Sequence, residues 1–170
     1  ALYEKKLVTY PRTDSRYLTE DMQEMLPQLI ADVGTKYAVP SGTLSPEIQA
    51  SGNVTRLFNN QKVSDHHAIL PMSGADLTAL PTGEQAVLQL ITVRLLCAAA
   101  KDYRTSEETA VLTCAGEEFT RKGRTVLQIG WKELWLMFYP AKNREKDTGD
   151  AAAFSSGDVI PFSKAVLKEG

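Results

Sequence analysis

The spacing of apolar residues changes once along this chain, near residue 102, and that change limits the fold more than any other feature. Before it, Met22, Met25, Leu26, Leu29, Ile30 and Val33 recur at the i, i+3, i+4, i+7 positions of an amphipathic helix. Thr19 stands as an N-cap with Glu20 and Asp21 in the first turn, and Gly34 is expected to end the helix. Thr82-Gly83-Glu84-Gln85 has capping-box spacing, and the helix it predicts, to about Ala100, is apolar on most sides. After Asp102, residues 109–115 and 125–129 alternate with the period of strands, and Gly116 and Gly123 punctuate them. Arg121-Lys122-Gly123-Arg124 reads as a polar turn between strands, and Gly130-Trp131 closes the second one. Late strands are expected at 159–162 and 165–167, after a Gly157-Asp158 turn, with a mobile loop over 143–156. The expectation is an α+β chain with a mixed helical part over residues 1–101 and a β-rich part over 102–170.

Composition narrows the function classes. The 170 residues carry a formal net charge of −2, so contact with nucleic acid must come from a local cluster of cations. Cys97 and Cys114 lie far apart in apolar surroundings and read as small buried thiols; no CxxC pair supports zinc, and no metal site is expected. The longest apolar run, residues 87–100, is interrupted by Gln89, Thr92 and Arg94 and is too short and polar to span a membrane. No export signal is visible, which points to an intracellular compartment. The chain opens on Ala-Leu-Tyr-Glu-Lys-Lys without an initiator methionine and reads as a fragment of a longer protein.

Chemistry concentrates in Thr9-Tyr10-Pro11-Arg12-Thr13-Asp14-Ser15-Arg16-Tyr17, preceded by a short strand over 7–10. Pro11 fixes its own φ and pushes Tyr10 to extended geometry, which would set Tyr10, Arg12 and Asp14 on one face. A tyrosine of ordinary pKa, near 10, is ionised to only about one part in a thousand at neutral pH. A nucleophilic role therefore needs a cation at hand, and Arg12 can supply one while bracing a phosphate oxygen. On spacing alone, a half-buried strand tyrosine beside a surface arginine fits at least as well. Ser64-Asp65-His66-His67-Ala68-Ile69-Leu70-Pro71 holds the only two histidines, which in an extended segment point to opposite faces. A phosphate donor or proton carrier and a satisfied structural pair fit this segment equally. Lys5, Lys6, Arg16, Arg56 and Lys62 are candidates for backbone phosphate contact. Trp131 and Trp135 read as packing residues.

Together the two segments carry a resemblance. V-T-Y-P-R-T-D-S-R-Y-L resembles the active-site tyrosine segment of type IA DNA topoisomerases, and the proline after the tyrosine is closest to their topoisomerase III branch. S-D-H-H-A-I-L-P, about fifty residues on, resembles the family's second central-domain motif, in which a histidine precedes Ala-Ile-x-Pro. The likeness runs over nearly the whole chain. It implies that Tyr10 attacks a backbone phosphorus of single-stranded DNA and forms a 5′-phosphotyrosyl link. It implies that Arg12 and His66 brace phosphates, and that Thr13, Asp14 and Ser15 hold the loop or touch DNA. Arg16, Lys62 and His67 are further candidate DNA contacts. Met72 departs from the pattern, since the family often has threonine there.

The same resemblance implies a tyrosine-bearing central domain related to helix-turn-helix folds, then part of a β-rich arch domain with strand edges left open. It implies Mg²⁺ held by a Toprim domain outside this chain, so no cofactor is expected here, and religation needs no nucleotide. The fragment alone is then expected to be inactive. A helicase is a candidate partner, and a nucleoid-associated place in a bacterial cytoplasm follows. The competing readings are another tyrosine-based DNA strand transferase and a non-enzymatic single-strand binding module.

Overall fold

The computed structural model describes residues 1–36, 55–73, 80–140, 155–159 and 161. The fold is α+β: three α-helices, several 3₁₀ turns and a two-stranded antiparallel sheet among the described residues. We label the elements α1 (Leu26–Lys36), α2 (Thr82–Ala99), β1 (Arg104–Cys114), β2 (Glu117–Gln128) and α3 (Trp131–Phe138). The chain divides into two compact units, residues 1–104 with 127–145, and residues 105–126 with 146–170.

In the first unit, α1, α2 and α3 enclose a core of Leu18, Met22, Leu26, Leu29, Ile30, Val33, Phe58, Leu70, Leu95, Leu96, Ala99, Ala100 and Leu134. The apolar stripe from Met22 is buried except at Met25, which is exposed, and the helix is not continuous. Pro27 has no N–H to return to the preceding turn, so Glu20–Met22 is a 3₁₀ turn and α-helix begins at Leu26. Gly34 does not end α1; it lies buried inside it, where packing outweighs a propensity cost of about 1 kcal/mol. The capping box is also displaced. Thr82 is the first residue of α2, and Pro81 takes the cap position without a side-chain bond. Gln85 instead closes the turn, its amide donating to the Leu80 carbonyl at 2.8 Å and its N–H to Pro81 O at 2.9 Å. Thr92, the buried polar residue of α2, donates its hydroxyl to Leu88 O at 2.9 Å, so its burial leaves no polar atom unpaired.

The expected turn at residues 121–124 lies inside β2, with Gly123 buried there. The reversal is two residues long, Ala115 and Gly116, with φ of 53° and 87°. Positive φ at both positions matches the right-handed twist of the strands, whereas a charged four-residue stretch has no such requirement. A two-residue turn between Cys114 and Glu117 sets Glu107 opposite Arg124, and the two form an ion pair at 2.6 Å. That register gives one continuous hairpin where the sequence suggested two separate short strands. Most of the expected late strands and mobile loop lies outside the described residues; Val159 and Pro161 are described and are not in a strand, and Asp158 N–H closes a turn onto Ser155 O at 3.1 Å.

An unforeseen helix, α3, follows Gly130. Its Trp131 packs against the core, and Trp135 stacks on Tyr139 with ring centroids 4.6 Å apart, beside the Arg94 guanidinium. The two cysteines separate. Cys97 is half-buried and donates to Trp131 O at 3.6 Å, whereas Cys114, expected to be buried, is exposed at the end of β1. Burial pushes the Cys97 thiol from 9.0 up to about 11, against the opposing pull of Arg94. Maleimide at neutral pH should therefore label Cys114 and spare Cys97. Because its pKa is higher folded than unfolded, Cys97 favours the folded state below pH 9, and that contribution disappears as pH rises through about 11. Denaturant midpoints should fall across this window in the natural sequence and fall less in Cys97→Ala.

Candidate active site

The two sequence segments meet through backbone hydrogen bonds. Val8 and Pro71 form an antiparallel bridge. Thr9 N–H donates to Leu70 O at 2.9 Å, its hydroxyl accepts from Leu70 N–H at 2.9 Å, and Met72 N–H reaches Leu7 O at 2.9 Å. Further on, Ala68 N–H donates to Tyr17 O at 2.9 Å. Leu18 then pairs in parallel with Phe58, through Leu57 O at 2.8 Å and Asn59 N–H at 3.0 Å. Thr9 and Tyr17 are thus both fixed on residues 68–70, and residues 10–16 form a loop between them.

That loop is not uniformly extended. Thr13 N–H bonds to Pro11 O at 3.1 Å, a tight turn around Arg12. The turn breaks the alternation expected for Tyr10, Arg12 and Asp14. Instead Pro11, Arg12, Thr13 and Asp14 line one wall of a shallow cleft of about 480 Å³, and Ser64, Asp65 and His66 line the other. The Thr13 hydroxyl ties the walls together, donating to His66 O at 2.8 Å and accepting from Ser15 N–H at 3.1 Å. Tyr10 stands beside this cleft, 37% exposed. Its ring lies 4.7 Å from the His66 ring at 58°, and Tyr3 meets it edge-on at 5.1 Å. Arg12 is exposed and makes no hydrogen bond or ion pair among the described residues.

The sequence of the whole chain, residues 1–170, matches the profile of a family described as DNA topoisomerase. The chain belongs to the DNA topoisomerase family. DNA topoisomerase 3 of Staphylococcus aureus strains MRSA252 and USA300 is 34% identical over 172 residues, which is 99% of this chain and 23% of each of those proteins. A protein named putative DNA topoisomerase 3, from the bovine strain RF122, matches to the same extent, 34% over 172 residues. The chain thus spans about a quarter of the length of these relatives, at 23%. Its likeness is to the type IA, topoisomerase III-like branch.

In this topoisomerase chain the remaining candidates take different places. His67 lies off the cleft and donates Nδ1–H to Ala68 O at 2.7 Å, so the adjacent histidines do diverge. Ser15 accepts from Tyr17 N–H at 3.1 Å and donates to Lys62 O at 2.9 Å. Lys62 Nζ donates to the Tyr17 hydroxyl at 3.3 Å. Two cations read as phosphate candidates are committed elsewhere. Lys5 pairs with Glu84 at 2.6 Å. Arg56 donates to Ala98 O at 2.9 Å and Ala100 O at 2.7 Å at the end of α2, and also holds Asp102. An arginine at a helix C-terminus satisfies carbonyls that the helix cannot, and complements its dipole. Sequence reasoning passed over Tyr3, which nothing in the spacing marks. It also passed over Ser64 and Asp65 as site residues, although both stand in the quoted histidine segment.

Among the described residues no three His, Cys, Asp or Glu side chains come together in a group that could hold a metal ion. Nor is any helix among them long and apolar enough to cross a membrane.

Proposed function

We propose that this chain is the tyrosine-bearing part of a type IA topoisomerase that cuts and rejoins single-stranded DNA. The reading rests on one observation above all: the Tyr10 ring packs on His66 at the edge of a cleft that His66 shares with Arg12. The Tyr10 oxygen bonds to phosphorus as its proton departs, and the P–O3′ bond breaks to release a 3′ hydroxyl that takes up a proton. The 5′ phosphate stays esterified to Tyr10. The same steps reversed rejoin the strand with no nucleotide consumed. Arg12, with its donors uncommitted among the described residues, braces two phosphate oxygens, and His66 donates to a neighbouring one.

We assign residues 1–101 to the central domain, related to helix-turn-helix folds, and residues 102–170 to part of the β-rich arch. Magnesium belongs, in this reading, to an acidic Toprim cluster elsewhere in the protein. The 170-residue chain by itself is accordingly expected neither to cleave nor to relax DNA. Single-stranded DNA in a bacterial cytoplasm is the proposed partner, with a helicase supplying unwound strands. The test is to quench the full-length protein with detergent on a single-stranded oligonucleotide and map the covalent peptide. An adduct through the 5′ phosphate on Tyr10 is expected; a 3′ linkage would place the protein with tyrosine recombinases, and no adduct would leave a binding module.

A further inference from the structure

A second cleft, of about 320 Å³, adjoins the tyrosine site. Asp14 and Ser64 line both clefts, so the two are neighbours across a shared wall. Beyond that shared wall stand Arg16, Tyr17 and Lys62, two cations and an aromatic ring. We propose that this second cleft holds one nucleotide of the single strand next to the scissile phosphate, with its base against Tyr17 and its phosphate on Arg16 and Lys62. The proposal deepens the functional reading above and rests on it for the identity of the strand.

Three features carry it. The volume is at the lower end of the range for small-molecule sites, roughly 300–1,000 Å³, as a single nucleotide unit requires. Next, the floor is built before any ligand arrives. Ser15 joins the Tyr17 N–H, at 3.1 Å, to the Lys62 carbonyl, at 2.9 Å, and Tyr17 O accepts from Ala68 N–H at 2.9 Å. Lys62 Nζ sits 3.3 Å from the Tyr17 hydroxyl and 4.9 Å from its ring centroid, so charge and ring are presented together. Finally, Arg16 is exposed and has no partner among the described residues. Aromatic faces beside backbone-tracking cations are how single strands are held without sequence reading. Asp14, the carboxylate on the shared wall, repels a phosphate there. It leaves phosphate positions on either side, one by Arg12 and His66 and the next by Arg16 and Lys62.

The experiment uses the full-length protein carrying Tyr10→Phe, so that binding is read without cleavage, and oligonucleotides with 5-iodouracil at successive positions. Irradiation should crosslink one position to Tyr17. Tyr17→Leu should weaken binding by about 5- to 150-fold, the span of one base-stacking contact, whereas Tyr17→Phe should bind as before. Arg16→Ala and Lys62→Ala should each reduce the slope of log affinity against log salt by about 0.7. A crosslink mapped elsewhere, or affinity and salt slope unchanged in both Tyr17→Leu and Arg16→Ala, would overturn the subsite. The two readings fail separately. If the unaltered protein forms no Tyr10 adduct but Tyr17 still crosslinks, the strand-transfer reading falls and the subsite stands. If the adduct forms and Tyr17 never crosslinks, the subsite alone falls.

Discussion

Tyr10→Phe in the full-length protein is expected to lower the yield of cleaved strand by on the order of 10³-fold or more, since a covalent nucleophile has no substitute in its own reaction. Single-strand binding should persist. The change is suited to the question because phenylalanine preserves what the ring does structurally. Its edge contact with Tyr3 and its tilted packing on His66 both involve the ring, and no other residue among those described bonds to the hydroxyl. Cleavage surviving this substitution would remove the nucleophile assignment. Arg12→Lys is the companion test: it retains charge but loses the planar pair of donors, so cleavage should fall while weak binding remains. A phosphate brace predicts a loss in the rate of cleavage at saturating DNA, not merely in affinity.

Gly130→Ala should be strongly destabilising, costing about 3 kcal/mol or more. Gly130 sits at φ 49° and ψ −134°, a conformation that side chains rarely adopt. A Cβ there would fall onto the Asp102 carbonyl and within 2.5 Å of Lys101 O. Those atoms are backbone and cannot swing aside, because the same junction is closed by Trp131 N–H donating to Lys101 O at 2.8 Å. The substitution thus disrupts the point where the chain returns from β2 to the end of α2. Urea titration should show a lowered midpoint. Ala86→Gly, on the exposed face of α2, is the control and should cost only about 1 kcal/mol.

The sequence foretold some of this and not the rest, for identifiable reasons. The apolar stripe from Met22 to Val33 predicted the buried face at Met22, Leu26, Leu29, Ile30 and Val33 but not at Met25, which is exposed ahead of the helix; it also missed the break at Pro27, because a missing N–H leaves the period untouched. Trp131, Leu134, Trp135 and Phe138 stand at helical spacing, so α3 was legible, but eight residues give too few repeats to stand out from the close of a strand. The hairpin register depended on φ signs at Ala115 and Gly116, and alanine gives no hint of a positive φ. At the site, residue types marked Tyr10, Arg12 and His66. No spacing could reveal that Thr13 clasps the His66 carbonyl, or that Arg56 is spent on the end of α2, since both contacts link residues more than forty positions apart.

The lacing of residues 7–18 onto 57–72 is mostly main chain to main chain. Such bonds are indifferent to which side chains the strands carry. The frame can therefore hold its shape while cleft-facing residues such as Arg12, Asp65 or Arg16 are exchanged. Inside residues 10–16 the hydroxyls of Thr13 and Ser15 stitch the loop by side chain, and those of Thr9 and Tyr17 do so at its two ends. This makes the cleft a socket whose chemistry can be rewritten without rebuilding the wall. It also marks Thr13 and Ser15 as two positions where redesign of the loop would cost its shape.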